Sequence, residues 1–175
     1  MKVYRYEQSE KEVLEAVRPV VFLAGPTVRG NQPHLVSWRF DCIDEFEKQN
    51  FTGSLVVPEF VSKTESDKGK DWIPLWEFNG LRVADCILFW VPRTRELIGL
   101  TTNWEFGYWI GRDVERVVYG RPEDSYRNRY LDIMWRAIFE EQKREVPQIY
   151  STLEDTVRSS IEKAKSRVMF RILTT

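Results

Sequence analysis

Short unbroken apolar runs alternate along this chain with longer stretches whose apolar residues recur every three or four positions. Val20-Val21-Phe22-Leu23-Ala24, ended by Gly25-Pro26, is the first such run. Leu55-Val56-Val57-Pro58 and Cys86-Ile87-Leu88-Phe89-Trp90-Val91 follow, and Val114 to Tyr119, closed by Gly120-Arg121-Pro122, gives a fourth. Apolar runs without alternation predict strands buried on both faces, as in parallel sheets. A short fifth strand is predicted around Gln148-Ile149-Tyr150. Residues 1–18 are polar, with no clear strand period before Val13-Leu14, and predict a peripheral segment packed on the outside.

Helical periods fill the intervals. From Leu35 to Lys48, Trp38, Cys42, Ile43 and Phe46 form an apolar stripe. Trp72 to Val83 reads as a second helix with Pro74 tolerated in its first turn. A third runs to about Arg112, and Tyr126 to Lys143 is a fourth, with Tyr130, Ile133, Met134, Ala137 and Ile138 on one side. The last extends to about Arg167, capped by Ser151 or Thr152, with Glu154 and Asp155 in its first turn. Ser62 to Asp71 is a polar loop.

Strands and helices in this alternation predict an α/β fold: a parallel sheet covered by helices on both faces. Ligands of such sheets bind beyond the C-terminal strand ends where the strand order reverses. That rule points to the turns Gly25 to Gly30, Pro58 to Lys63 and Pro92 to Glu105.

Composition narrows the chemistry. A chain of 175 residues suits one domain over 1–175. With 26 basic against 27 acidic residues, no net field recruits nucleic acid or an anionic membrane. Cys42 and Cys86 have no motif spacing and read as small buried residues. The single histidine, His34, leaves no His-rich metal site and no Ser/His/Asp or Cys/His set. No glycine-rich dinucleotide fingerprint and no phosphate-loop lysine motif appears, and no cofactor is expected. Without a signal-like segment or an apolar run of roughly 20 residues, a soluble cytoplasmic protein is expected.

What remains is carboxylate chemistry, with Glu59, Glu77, Asp85, Glu96 and Glu105 as candidates. Carboxylates suit glycosidic bonds, where one attacks the anomeric carbon while another group assists. Glu105 follows Thr101, Thr102 and Asn103, residue types that cap helices, which predicts a first-turn position beside unpaired N–H groups and the positive helix end. That setting favours the ionised form a nucleophile needs. It equally suits a glutamate that only complements the dipole. An aromatic content of 14% leaves Trp38, Trp72, Trp76 and Trp104 as candidates either to stack a base or to fill the core. Arg29 and Arg39 could hold a 5′-phosphate.

Three motifs now stand in order: Val21-Phe22-Leu23-Ala24-Gly25-Pro26-Thr27, then Glu77-x-Asn79-Gly80-Leu81-x-x-x-Asp85-Cys86-Ile87-Leu88, then Thr102-Asn103-Trp104-Glu105-Phe106-Gly107-Tyr108. Together they resemble the nucleoside 2-deoxyribosyltransferase family from about residue 20 to 120. The resemblance implies a flavodoxin-like, Rossmann-like three-layer fold with five parallel strands and a double displacement at the sugar C1′. It implies Glu105 as nucleophile and Glu77 as the contact to the sugar hydroxyls. Phe22, Ala24, Gly25, Pro26 and Thr27 would line the pocket beside sugar and base, with Asn103, Trp104, Arg29 and Trp38 as further binding candidates; Asp85 reads as structural. It also implies a nucleoside or nucleotide as small-molecule partner, a free nucleobase where the reaction is a transfer, and a homo-oligomer. Three positions depart from the family pattern. Phe22 stands where a tyrosine often orients the nucleophile, Gly99 stands where an acid handles protons at the base, and Glu77 replaces the commoner aspartate. A non-catalytic nucleotide-binding or effector module on the same fold is the alternative.

Overall fold

The computed structural model describes residues 1–28, 32, 34–62 and 69–174. Strands β1 (Lys2–Tyr4), β2 (Val20–Ala24), β3 (Ser54–Val56), β4 (Cys86–Trp90) and β5 (Val117–Gly120) form one sheet in the order β1-β3-β2-β4-β5. Every pairing is parallel, with Val21 opposite Leu55 and Cys86, and Ile87 opposite Val117. Among the described residues the helices are α1 (Glu10–Leu14), α2 (Trp38–Lys48), α3 (Ile73–Val83), α4 (Leu100–Asp113), α5 (Arg129–Glu141) and α6 (Leu153–Thr174). None of them is long and apolar enough to cross a membrane.

The apolar runs form strands because both of their faces are covered. All five residues of β2 and of β4 are buried. Val20, Phe22, Ala24, Ile87 and Phe89 face one core with Trp76 and Leu81 of α3, Phe106 and Trp109 of α4 and Trp135 of α5. The alternate residues Val21, Leu23, Cys86 and Leu88 face Trp38, Cys42 and Phe46 of α2 and Val157, Ile161 and Ala164 of α6. This is the flavodoxin-like α/β arrangement, five parallel strands between two helical layers.

The fifth strand is not where the sequence pattern put it. Residues 1–18, expected outside and without strand, supply β1 at the sheet edge, and Tyr4, Tyr6 and Val13 are buried. The segment Gln148-Ile149-Tyr150 contributes one bridge, Tyr150 to Gly120. Val114–Arg116 winds into a 3-10 turn, so β5 starts later than its apolar run. In α5 the helical period holds but its phase does not. Leu131, Trp135 and Phe139 are buried, while Tyr130 and Ile133 face solvent, because Trp135 lies among the rings of Phe106, Tyr119 and Phe139.

Asp85 clamps the pole of the sheet opposite the C-terminal strand ends. Its fully buried carboxylate accepts from Arg18 and from the Val20 backbone N–H at 2.8 Å and forms an ion pair with Arg171 Nη1 at 3.1 Å, tying β2 and β4 to the last turns of α6. Removing the carboxylate leaves the buried Val20 N–H without its acceptor, while the two arginines can turn to water. Asp85→Ala should therefore cost about 1–3 kcal/mol in urea unfolding. Amide exchange along the end of α6 should rise with it.

Candidate active site

From β2 the chain moves to β3 on one side, and from β3 it returns to β4 on the other, so the order reverses between β2 and β4. The turn after β2 lies directly against the end of β4. Gly25 has φ +151°, and a Cβ there would sit 2.1 Å from the Trp90 carbonyl oxygen. Only glycine permits that approach.

The first turn of α2, capped by Ser37, fixes this turn from inside. Trp38 donates its indole N–H to the Pro26 carbonyl at 2.9 Å. Arg39, 1% exposed, donates to the carbonyls of Leu23 (3.2 Å) and Gly25 (3.0 Å) and to Thr27 Oγ1 (3.3 Å). Its charge is met by Glu59 at 3.4 Å, and Glu59 also accepts from Arg5 (3.2 Å) and Ser37 (2.7 Å). Arg39 is thus spent inside the protein and is not placed to hold a phosphate.

Glu77 and Glu105 stand on the consecutive helices α3 and α4, each in the second turn, and the charge of Glu77 reaches Glu105. The expected cap at Thr101–Asn103 is corrected. Gly99, in the left-handed region at φ 61°, starts α4 with no side-chain cap, one turn earlier than the polar residues suggested. A Cβ at Gly99 would lie 2.6 Å from Pro26 Cβ, so this start is pressed against the β2 turn. Glu105 therefore loses the first-turn environment that would hold it ionised. Burial instead pushes its carboxyl up to about 8, the charge of Glu77 adds to that, and Arg39 opposes it.

A third group completes the cluster, and the sequence reading missed it. Tyr6, on the segment leaving β1, donates its hydroxyl to Glu77 Oε1. Burial and the adjacent Glu77 raise its phenol far above the ordinary tyrosine range, so it stays a donor. Its ring is wedged between Phe60 (4.8 Å between centroids), Trp76 (5.0 Å) and Trp72 (5.9 Å). The available signal was weak: one of two tyrosines in a short, charged N-terminal segment. The hydroxyl that Phe22 lacks is supplied instead by the segment after β1, and it reaches Glu77.

The other candidates divide. Phe22 and Ala24 are core residues, with the Phe22 ring packed against Gly80 of α3, the helix that carries Glu77. Gly25, Pro26, Thr27 and Trp38 build the turn described above. Asn103 Oδ1 accepts from Arg93 at 2.6 Å, bracing the start of α4. Trp104, 60% exposed, stacks on Tyr108 at 5.2 Å on the outside of α4, away from the carboxylate pair. Trp76 is buried, its indole bonded to the Gln8 carbonyl, whereas Trp72 is exposed. Glu96, the possible stand-in for an acid at position 99, pairs outward with His34 at 2.8 Å. Arg29 lies outside the described residues.

Comparison with known proteins bears on this geometry. No curated protein matches the chain. The family model described as "Nucleoside 2-deoxyribosyltransferase like" matches residues 18–124. The match runs from the cis Arg18-Pro19 bond through β2, both carboxylate helices and β5, leaving β1, α5 and α6 beyond it. The chain belongs to the nucleoside 2-deoxyribosyltransferase-like family.

Proposed function

We propose that the protein breaks the N-glycosidic bond of a nucleoside or nucleotide through a covalent glycosyl intermediate on Glu105. One observation carries this reading: a desolvated carboxylate, Glu105, within the electrostatic reach of a second, Glu77, stands in the helix that follows β4, where the strand order reverses. In the first step a Glu105 oxygen bonds to C1′ while the C1′–N bond breaks. The base departs with that electron pair and takes up a proton. In the second step water, or a second base, attacks C1′ and releases Glu105. Glu77 accepts a hydrogen bond from a sugar hydroxyl and aligns C1′ with Glu105.

Burial gives Glu105 a pH signature. With its carboxyl pushed up to about 8, the free enzyme at neutral pH holds it mostly protonated, and only the ionised form attacks. Base release, followed as kcat/KM, should rise with pH and level off above about 8, standing near a hundredth of the plateau two pH units lower. A flat profile between pH 6 and 9 would overturn the nucleophile assignment.

Glu105→Gln should abolish base release, with a loss of roughly a thousandfold or more, and leave the protein folded. The stability sign follows from the same burial. A carboxyl whose folded value lies above its unfolded one takes up a proton on folding, so its contribution is present at low pH and is lost as pH rises through about 8. The Gln variant should accordingly match the parent in thermal melts at pH 5 and exceed it at pH 9.

The balance between transfer and hydrolysis follows from what surrounds the pair. Aromatic rings wall it on the Glu77 side, but Trp104 turns outward, and neither Gly99 nor Glu96 offers an acid to the base. Water thus competes with a second base for the intermediate. One deoxynucleoside incubated with a different free base should give free sugar as a substantial share of turnover beside the exchanged nucleoside. Exchange without detectable sugar would show the site to be closed to water.

A further inference from the structure

We propose that Arg93, Thr102 and the opening turn of α4 form an anion site that takes the 5′-phosphate of the substrate, which makes that substrate a nucleoside monophosphate. The identity of the substrate rests on the function proposed above; the anion site itself does not.

Three arginines are buried among the described residues, and they differ in one respect. Arg39 meets Glu59 at 3.4 Å and Arg116 meets Asp113 at 3.0 Å. Arg93, 6% exposed, has no carboxylate partner among the described residues. Its Nη2 donates to the Gly99 carbonyl at 3.2 Å and to Asn103 Oδ1 at 2.6 Å, both neutral. No described protein atom accepts from its Nε. Burial works against its charge, yet a guanidinium keeps its proton in a protein. An anion brought to Arg93 would offset that cost.

The second observation comes from α4. Gly99 starts this helix with no side-chain cap, and no acid stands in the first turn. Its leading N–H groups have no intrahelical acceptor, and the positive end of the helix is uncompensated. Thr102, in that turn, is fully buried, and its hydroxyl has no partner among the described residues. The guanidinium of Arg93 is anchored on Gly99 itself, so these donors stand at one helix start. An arginine fork, a hydroxyl and unpaired backbone N–H groups are the donor set that a phosphate satisfies.

This start is also where a substrate would bring its phosphate. A Cβ built on Gly99 would lie 2.6 Å from Pro26 Cβ and 2.9 Å from Thr102 Oγ1, so the hydroxyl sits at the seam between α4 and the turn after β2. Thr102 and Glu105, three residues apart on α4, are neighbours on its surface. With C1′ at Glu105, the sugar ring and its 5′-methylene span about one turn of helix, roughly 5 Å, and reach the start of α4. Arg39 is saturated by the turn it holds. Arg93 is the buried arginine with a donor to spare.

Titration of the 15N-labelled full chain with inorganic phosphate, and separately with a deoxynucleoside 5′-monophosphate, tests the site. Each should shift the Leu100, Thr101 and Thr102 amides saturably, and the nucleotide should displace phosphate. Arg93→Gln, which removes the charge, should weaken phosphate binding by about tenfold or more. Thr102→Val keeps the shape and removes only the hydroxyl; it should weaken binding by about fivefold, and it serves if Arg93→Gln folds poorly. In base release the parent should favour the monophosphate over its nucleoside by about tenfold or more in kcat/KM, and either variant should shrink that ratio. No saturable shift at these amides, phosphate binding unchanged in Thr102→Val, or equal kcat/KM for nucleotide and nucleoside would overturn the proposal. Phosphate bound there that the nucleotide does not displace would assign the site to a free anion and overturn the substrate assignment. Failure of the glycosidic reading looks different: a nucleotide bound through Arg93 and Thr102 as stated, by a protein that releases no base.

Discussion

A buried guanidinium holds this site together. Arg39 sits inside the turn after β2 and satisfies its carbonyls at Leu23 and Gly25, groups that would otherwise be desolvated with no partner. Glu59 neutralises it, and Glu59 in turn fastens β1 through Arg5 and the start of α2 through Ser37. Three strand ends and one helix therefore depend on one ion pair. The same cation is the favourable charge nearest to Glu105, so the network that shapes the turn also limits how far burial can raise the carboxyl.

Much of the fold was legible because its physics is local. A run such as Cys86 to Val91 has no polar face, and only a strand covered on both sides accommodates it. Asp85 could be read as structural from its place at the mouth of that run. Where the reading failed, the deciding partner was distant in sequence. Lys2-Val3-Tyr4 is an edge strand with one buried residue, too short and too charged to show a period. The phase of α5 is set by rings from α4 and β5 rather than by its own stripe.

The site was legible in its parts and less so in its electrostatics. Glu77 and Glu105 were picked from motifs that resemble the family, and in the fold the charge of one reaches the other. Their environment was misjudged, because the cap-like residues Thr101 to Asn103 lie within α4 rather than ahead of it. One turn of helix changes a carboxyl beside open N–H groups into one whose burial disfavours its charge. Arg39 shows the converse error. An arginine near a binding turn suggests a phosphate ligand, yet a fully buried one bonded to several oxygens is already saturated.

Strand β1 carries a practical consequence. It starts at Lys2, is only three residues long, and lies on the same short segment that delivers Tyr6 to the carboxylate pair. Any peptide fused ahead of it, such as an affinity handle, hangs from a three-residue pairing at the edge of the sheet. A handle placed after α6 leaves from that same pole, where Arg171 meets Asp85, but from a helix of 22 residues rather than from an edge strand of three. An extension at either end would start at the pole away from Glu105, yet only the one ahead of β1 loads the strand that runs on to Tyr6.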